Sequence, residues 1–433
     1  MIGMGSDDWL AFKREEFKRW MEDERRRTGL SRAVAAYTSA KAKALSRLPE
    51  LEEIRREVRK IKERSIQQMD ELVKITMDSV REVKGEAYLA RDAEEAREIV
   101  SDLTGNGKLV VKSKSLTGDE IGINEALEER GNSVYETDLG EFIIQLRKEK
   151  PTHIINPSVH VPREEVAKTF SELLGRPVSS EIPALVGIAR DYLREKFCHA
   201  DVGITGANVV SAKTGTIFIV ENEGNARFVS NAPPKHICLT GIEKIVPTLS
   251  DAFKVLQVLP PYATGVFMSA YVSMITGPSK TADIEKTIVY GAHGPKELHL
   301  VLLDNGRSRM AEDEAFREAL YCIRCGGCMY ECPVYRIIGG SFGNNYFGGI
   351  GLIWSAFTTG DEKVAAAVDA CTKCGRCKEV CPLEIDTPRM VERLKQSLVK
   401  GGFVQPKHAE IMESILKKGN PFNEDEREDR SRG

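Results

Sequence analysis

The chain has 433 residues, 41% of them hydrophobic and 29% charged, with a formal net charge of −3. Such a length and composition fit a globular protein of roughly two to three domains with ample core, and the near-balanced charge argues against nucleic-acid binding, which calls for a basic face or stripe. No apolar run is both unbroken and long enough to supply the ~20 residues of a membrane-spanning helix, so no transmembrane segment is expected.

Met1 to Phe12 lacks the apolar stretch of a signal peptide, and Arg25-Arg26-Arg27 precedes Thr-Gly rather than a greasy run, so no leader is expected. From Asp7 to about Val83 the pattern reads as helix, broken at Pro49. After that break Leu51, Ile54, Val58, Ile61, Met69, Leu72 and Val80 recur at three-or-four spacing. Such an amphipathic stripe must lie on another surface. The more polar part before Pro49 reads either as an arm onto a partner or as a solvated face.

From Gly85 to about Arg307 short apolar runs alternate with helical stretches. Lys108–Lys112, Ser133–Glu136, Thr152–Asn156, Thr216–Val220, His236–Leu239, Ile288–Tyr290 and Leu298–Leu303 read as strands; Asp92–Leu103, Glu120–Glu129, Glu164–Leu174 and Glu181–Glu195 read as helices. This alternation predicts an α/β domain with a largely parallel sheet. Glu221–Arg227 reads as the turn of a local hairpin, and Val255–Ser279, interrupted by Pro260, Pro261 and Pro278, as a buried core helix. Ile337–Gly360, rich in Gly, Asn and Ser, reads as a water-excluding cover. Short helices are expected at Glu312–Leu320 and Glu362–Asp369 and a closing helix at Asp386–Lys400, before a tail too charged to bury itself.

Eight of the ten cysteines fall in two copies of one pattern. Cys322, Cys325, Cys328 and Cys332-Pro333 form the first, and Cys371, Cys374, Cys377 and Cys381-Pro382 the second. Each is the C-x2-C-x2-C-x3-C-P run of bacterial ferredoxins, whose fourth cysteine ligates the other cluster of a pair. The expectation is therefore two [4Fe-4S] clusters, one held by Cys322, Cys325, Cys328 and Cys381, the other by Cys371, Cys374, Cys377 and Cys332. Structural zinc usually spaces its ligands as separated pairs, and disulfide frameworks belong to small secreted chains. Clusters assembled under reducing conditions favour the cytoplasm.

The middle region carries Val110–Ser115, Glu136–Glu141, His199–Ala207, Gly241–Val246, Thr276–Glu285, His293-Gly-Pro295 and Leu303–Arg307 in order, followed by the first cysteine run and Val334-Tyr335. Over roughly Ala87 to Pro382 this resembles the lactate utilization protein B family, in which a LUD domain precedes a ferredoxin module. Ser341 and Tyr346-Phe-Gly-Gly-Ile-Gly351 depart from the family's usual His and Tyr-Pro-Gly-Pro-Ile-Gly run. The resemblance implies an α/β LUD domain of the NagB/RpiA/CoA-transferase-like fold, with an N-terminal helical region and a C-terminal α-helical dicluster ferredoxin domain. The corresponding division is 1–84 N-terminal helical region, 85–307 LUD domain, 308–400 ferredoxin domain and 401–433 C-terminal tail for partner docking. Gly419-Asn-Pro-Phe422 and its acidic continuation resemble the connector to a CCG domain of the heterodisulfide-reductase type. A CCG-domain redox subunit is the partner this implies, with a flavoprotein or a further LUD subunit beside it and membrane association only through such partners.

Lys112 and Lys114 end a strand before a helix that Thr117-x-x-Glu120 would open as a capping box. With Asp138 and His293 at other apparent strand ends and Thr214 at a tight turn, they outline a ligand pocket for an anion such as a carboxylate, phosphate or acyl-CoA headgroup. The same residues also fit a plain strand-to-helix loop, helix-start carboxylates and a structural histidine. His153, His160, His199, His236 and His299 lack the paired spacing of a metal site, and no catalytic residue is assigned. No G-x-G-x-x-G follows a strand, so no dinucleotide fingerprint is present. The leading expectation is an electron-transfer subunit of a cytoplasmic complex oxidising lactate or a related organic acid. Its rivals are a catalytic or sensing LUD module for a CoA- or sugar-phosphate-like ligand, and a scaffold subunit of a heterodisulfide-reductase-like complex.

Overall fold

The computed structural model of the chain describes residues 6–422. The tail expected to be disordered or ordered by a partner lies mainly in residues 423–433, outside the described residues. Four helices come first: α1 (Ser6–Glu22), α2 (Glu24–Leu45), α3 (Leu51–Gln67) and α4 (Met69–Glu82). Asp23, whose side chain accepts the Arg26 N–H at 3.0 Å, caps α2, and Pro49 lies in the break before α3.

The alternating region follows with β1 (Glu86–Ala90), α5 (Ala93–Thr104), β2 (Leu109–Lys112), α6 (Leu116–Ile121), α7 (Ile123–Glu129), β3 (Ser133–Glu136), α8 (Leu139–Arg147), α9 (Arg163–Leu174), α10 (Ile182–His199), β4 (Val202–Thr205), β5 (Val209–Ser211), β6 (Thr216–Glu221), α11 (Asn225–Asn231), β7 (Lys235–Gly241), β8 (Ile245–Val246), α12 (Leu249–Ala263), β9 (Tyr271–Ile275), β10 (Lys280–Thr281), β11 (Val289–Tyr290) and β12 (Glu297–Leu303). Six strands form a wholly parallel sheet in the order β1-β12-β7-β4-β2-β3. Its inner strands are apolar on both faces because both are covered. Ile237 and Leu239 of β7 pack with Val100, Ile121 and Leu127 on one side, while Cys238 joins the core on the other. Gly203 in β4 is required by this packing, since a Cβ there would run into the Val229 carbonyl of α11. A second sheet, β8-β5-β6-β9, lies under the N-terminal helices, with β6 antiparallel to both β5 and β9.

Three expectations are corrected here. Glu221–Arg227 is not a hairpin turn: Glu221 accepts the Ala226 and Arg227 N–H groups at 2.7 and 2.8 Å, starting α11, and the flanking strands belong to different sheets. Thr152–Asn156 forms no strand, because His153 Nδ1 accepts the N–H groups of Ile155 and Asn156 and curls the backbone locally. The helix expected from Val255 starts earlier and ends at Ala263, after Pro260 and Pro261 have removed two donors, and the segment beyond becomes β9. Among the described residues no helix is long and apolar enough to cross a membrane.

The remaining helices are α13 (Arg307–Glu312), α14 (Gly327–Glu331), α15 (Tyr335–Ile338), α16 (Gly348–Thr359), α17 (Glu362–Val368), α18 (Arg376–Glu379), α19 (Thr387–Lys400) and α20 (Pro406–Lys418). The amphipathic stripe of α3 lies on α12, and its polar side clamps the cysteine-rich region. Arg55 donates to the Pro382 carbonyl at 3.1 Å and to Glu384 at 2.9 Å, while Arg59 reaches the Leu383 carbonyl and, at 2.7 Å, Glu318. Lys13 of α1 is buried and donates to the Gly343 carbonyl at 2.9 Å, pinning the segment between the two cysteine runs. One hydrophobic core therefore runs from α1–α4 through the second sheet into the cysteine-rich region.

Candidate metal centre and adjoining cleft

The two cysteine runs fold alike. In each, the residue before the second cysteine is left-handed, Arg324 at φ 61° and Lys373 at φ 54°, and so is the glycine after it, Gly326 at 74° and Gly375 at 82°. The third cysteines, Cys328 and Cys377, lie in the short helices α14 and α18. Alternating backbone handedness gathers N–H groups on one side of a loop, the concavity found at anion and iron–sulfur sites. The sulfurs receive those groups: Gly327 N–H faces Cys325, Val334 and Tyr335 face Cys332, Lys373 faces Cys371, and Leu383, Glu384 and Ile385 face Cys381.

Burial pushes the thiols up, Cys325 and Cys377 to about 12 and Cys381 to about 11, and neighbouring sulfurs add to this. Those neighbours come from both runs. Cys325 is raised by Cys322 and Cys381, and Cys328 by Cys325, Cys322, Cys377 and Cys381. Cys332 is raised by Cys371 and Cys374, and Cys377 by Cys332, Cys371 and Cys374. Each run's fourth cysteine thus faces the other run. Among the described residues no three His, Cys, Asp or Glu side chains converge on a single metal ion; a cubane does not ask for that, since its four cysteines are spread around it. A cavity of ≈ 40 Å³ lies among Cys322, Cys325, Cys328, Cys377 and Cys381, walled by Ile154, Met329, Tyr346, Phe347 and Ile350. That exceeds the ~10–15 Å³ one water needs. The donor set and the inward N–H groups fit an iron–sulfur group. The segment between the runs supplies its cover, with Tyr346 and Phe347 both buried.

Behind this centre lies a buried charge network. Arg307 is fully buried and grips Glu120 with two bonds, at 2.9 and 2.8 Å, and Glu243 with a third at 2.5 Å. Tyr346 O–H also donates to Glu120, and Arg324 lies 3.6 Å from Glu243 with its guanidinium 3.7 Å from the Trp354 ring centroid. Burial alone would raise the Glu243 carboxyl, but Arg307, Arg324, Lys244 and Lys62 outweigh it and hold the group at about 2. The expected capping box at Thr117 and Glu120 is replaced by Ser115, whose Oγ accepts the Gly118 N–H at 3.2 Å; Glu120 faces inward to Arg307 instead.

A cleft of ≈ 290 Å³ opens beside the carboxyl ends of β2 and β4. Ser113, Lys114, Ser115 and Asp138 line it with Asn208, Glu221, Glu223 and Lys244, and Arg324 and Ile154 wall both this cleft and the cysteine cavity. Of the five ligand residues expected from sequence, the structure brings Lys114 and Asp138 together, 3.1 Å apart on the cleft wall. Lys112 is turned away into the core, 2.6 Å from Glu136 and 3.3 Å from Asp119. Thr214 sits in a turn under α4, bonded to Ser211 and Thr216. His293 is exposed in the loop before β12, at the amino end of that strand. Neither Thr214 nor His293 lines the cleft. Sequence reasoning missed Lys244, Glu223 and Arg324, although Lys244 stood inside Gly241–Val246 and Arg324 inside the first cysteine run.

Comparison with known proteins gives this geometry its context. The LUD domain family model matches residues 73–303, and a 4Fe-4S dicluster domain model matches residues 318–385. Lactate utilization protein B of Bacillus subtilis is 36% identical over 394 residues, 90% of this chain and 80% of that protein. The chain belongs to the lactate utilization protein B family. Another member, from Macrococcus caseolyticus, is 35% identical over 410 residues, 94% of this chain and 83% of that one. The electron transport protein YkgF of Escherichia coli is 34% identical over 385 residues, 88% of this chain and 79% of that one. A solved DUF162 family protein from Deinococcus radiodurans, 16% identical, covers 54% of this chain and 98% of its own with a TM-score of 0.31. In this family member the buried Arg307 lies in the join between the two matched regions.

Proposed function

We propose that the chain is the iron–sulfur electron-transfer subunit of a cytoplasmic oxidoreductase complex that oxidises lactate or a related small organic acid. What supports this is that Cys381 of the second run raises the thiols of Cys325 and Cys328, and Cys332 of the first run raises that of Cys377. Two [4Fe-4S] clusters held crosswise would follow, Cys322, Cys325, Cys328 and Cys381 on one and Cys371, Cys374, Cys377 and Cys332 on the other. Such clusters, when bound, supply one-electron transfer, whereas oxidising lactate releases two electrons and two protons. The bond chemistry therefore needs a partner or a further site.

The two cysteine groups differ in exposure. Cys325 of the first is buried beside the cleft, whereas Cys374 of the second is exposed. The outer group is thus the one a partner can approach. Nearby, α20 is held to Asp369 through His408 at 3.5 Å and shows Met412, Ile415 and Leu416 to solvent, with Phe422 beyond it 79% exposed. Exposed apolar side chains of this kind suit a protein partner, and a CCG-domain redox subunit is the one proposed. Anaerobic co-purification followed by lactate addition tests the reading: bleaching of the chain's visible absorbance only when the partners are present is expected. Absence of lactate-dependent bleaching in the assembled complex would remove lactate as the donor.

A further inference from the structure

The two cysteine loops carry a cation at the same place, and the fold surrounds those cations differently. Arg324 and Lys373 each stand between the first and second cysteines of a run, both left-handed, at φ 61° and 54°. The Lys373 side chain is 53% exposed and pairs with Glu392, itself exposed, at 3.2 Å. Water and a paired carboxylate screen such a charge. The Arg324 side chain is 12% exposed, lies 3.7 Å from the Trp354 ring centroid and 4.5 Å from that of Tyr346, and walls the cavity among Cys322, Cys325, Cys328 and Cys381.

The Arg324 charge is also poorly compensated. Arg324 Nη2 and the facing Glu243 Oε1 are buried, 3.6 Å apart, and neither has a hydrogen-bond partner. Glu243 bonds Arg307 at 2.5 Å, and Lys62 and Lys244 act on the same carboxylate. Lys62 of α3 is buried and donates to the Glu243 carbonyl, with Cys322 near enough to attract its ammonium. Glu120 is no reserve, because Arg307, Asn305 and Tyr346 already hold it. Two carboxylates are thus shared among four cations behind the first run. Around the second run the cations are matched: Arg376 pairs with Glu331 and Glu379 at 3.3 and 3.2 Å, and Lys395 with Asp369 at 2.5 Å.

Resting on the two clusters of the proposed function, we infer that Arg324, reinforced by Lys62, raises the reduction potential of the cluster at Cys322, Cys325, Cys328 and Cys381, and that Lys373 has no comparable effect on the other. Reduction adds one negative charge to a cluster. Burial opposes an added charge, so by burial alone the first site would be the harder of the two to reduce. A desolvated cation at its edge favours that charge and offsets the burial. At an effective dielectric of ~20, a unit charge within about 12 Å shifts a one-electron equilibrium by about tenfold. A side chain that walls the cysteine cavity stands inside that reach. Arg324 thus brings the two sites toward a common potential, which lets an electron pass between them without a large uphill step.

The test is an anaerobic redox titration of the iron-loaded full chain with dithionite, followed by EPR, with Cys374→Ser identifying the signal of the exposed cluster. Arg324→Gln should lower the first midpoint by the equivalent of ~10-fold or more, about 59 mV for one electron, and leave the second within ~3-fold. Arg324→Lys, which keeps the charge, should stay within ~3-fold of the parent, and Lys373→Gln should leave both midpoints within the same margin. Should Arg324→Gln lose iron, Lys62→Met, outside the cysteine loops, takes its place with the same expected direction. An unmoved first midpoint in the iron-loaded variant would overturn the inference, and so would an equal fall in both midpoints. Arg324→Lys falling as far as Arg324→Gln, or an equal shift from Lys373→Gln, would overturn it too. Each of those results leaves the cluster reading standing. A parent chain without two reducible clusters would refute that reading and this inference together.

Discussion

Replacing Glu243 with Gln isolates the charge network that joins the sheet to the cysteine-rich region. Glu243 is 1% exposed, bonded to Arg307 at 2.5 Å and 3.6 Å from Arg324. Its carboxyl ionises at about 2 instead of 4.5. Each tenfold in proton affinity corresponds to ~1.4 kcal/mol, so the ionised group stabilises the folded state by about 3 kcal/mol. Because the folded value is depressed, that contribution is complete above pH 4.5 and fades as pH falls toward 2. At pH 7 Glu243→Gln removes it and leaves Arg324 without a carboxylate, so a loss of about 3–5 kcal/mol is expected. The assay is anaerobic urea unfolding of the full chain by far-UV circular dichroism, with an unchanged slope as the condition for reading the midpoint as stability. In a double-mutant cycle with Arg307→Met the two losses should be strongly non-additive. A loss below about 1 kcal/mol would show that Glu243 acts as an ordinary exposed pair and that the network does not hold the two regions together.

The other predictions concern neighbouring groups. Burial depresses His153 from 6.5 to about 3, so the folded state keeps it neutral and stability falls as pH drops below 6.5. His153→Gln should therefore reduce the loss between pH 7.5 and 5.5 by about 1.4 kcal/mol, seen as converging urea midpoints; parallel profiles would exclude a buried neutral imidazole. Tyr346→Phe removes the hydroxyl that donates to Glu120 and should cost about 1.5–3 kcal/mol while iron content stays at the parent level. Gly326 has φ 74°, and a Cβ there would lie 3.1 Å from both His153 Cε1 and Ile154 Cγ1. Gly326→Ala should lower iron toward about half, read by colorimetric analysis, because one loop can no longer close.

What could be read from sequence follows physical locality. β2, β7 and β12 were legible from their apolar runs, β3 from its alternation, and α5, α9, α10 and α19 as periodic ones. β4 was hidden because Gly203 interrupts it for a reason that lies in α11, far along the chain. Glu221 and Asn225 carry the composition of a turn, yet Glu221 uses its carboxylate to start a helix. At the candidate site Lys114 and Asp138 could be anticipated at strand ends, since the parallel sheet places those ends together. Lys112 lies two residues earlier, where strict alternation would put it on the side of Lys114; β2 ends at Lys112, the chain turns away after it, and Lys112 is neutralised by Glu136, a partner 24 residues away that no local pattern reveals. Arg324 could not be anticipated as a cleft residue, because its role depends on a cysteine loop folding against the sheet domain.

Crosswise ligation of two clusters can be read by iron analysis with EPR on single cysteine variants. The parent should hold ~8 Fe per chain. Cys332→Ala should perturb the signal of the cluster assigned to Cys371, Cys374 and Cys377, and Cys381→Ala that of the cluster assigned to Cys322, Cys325 and Cys328. Loss confined to the Cys322 cluster in Cys332→Ala would show that each run ligates its own cluster.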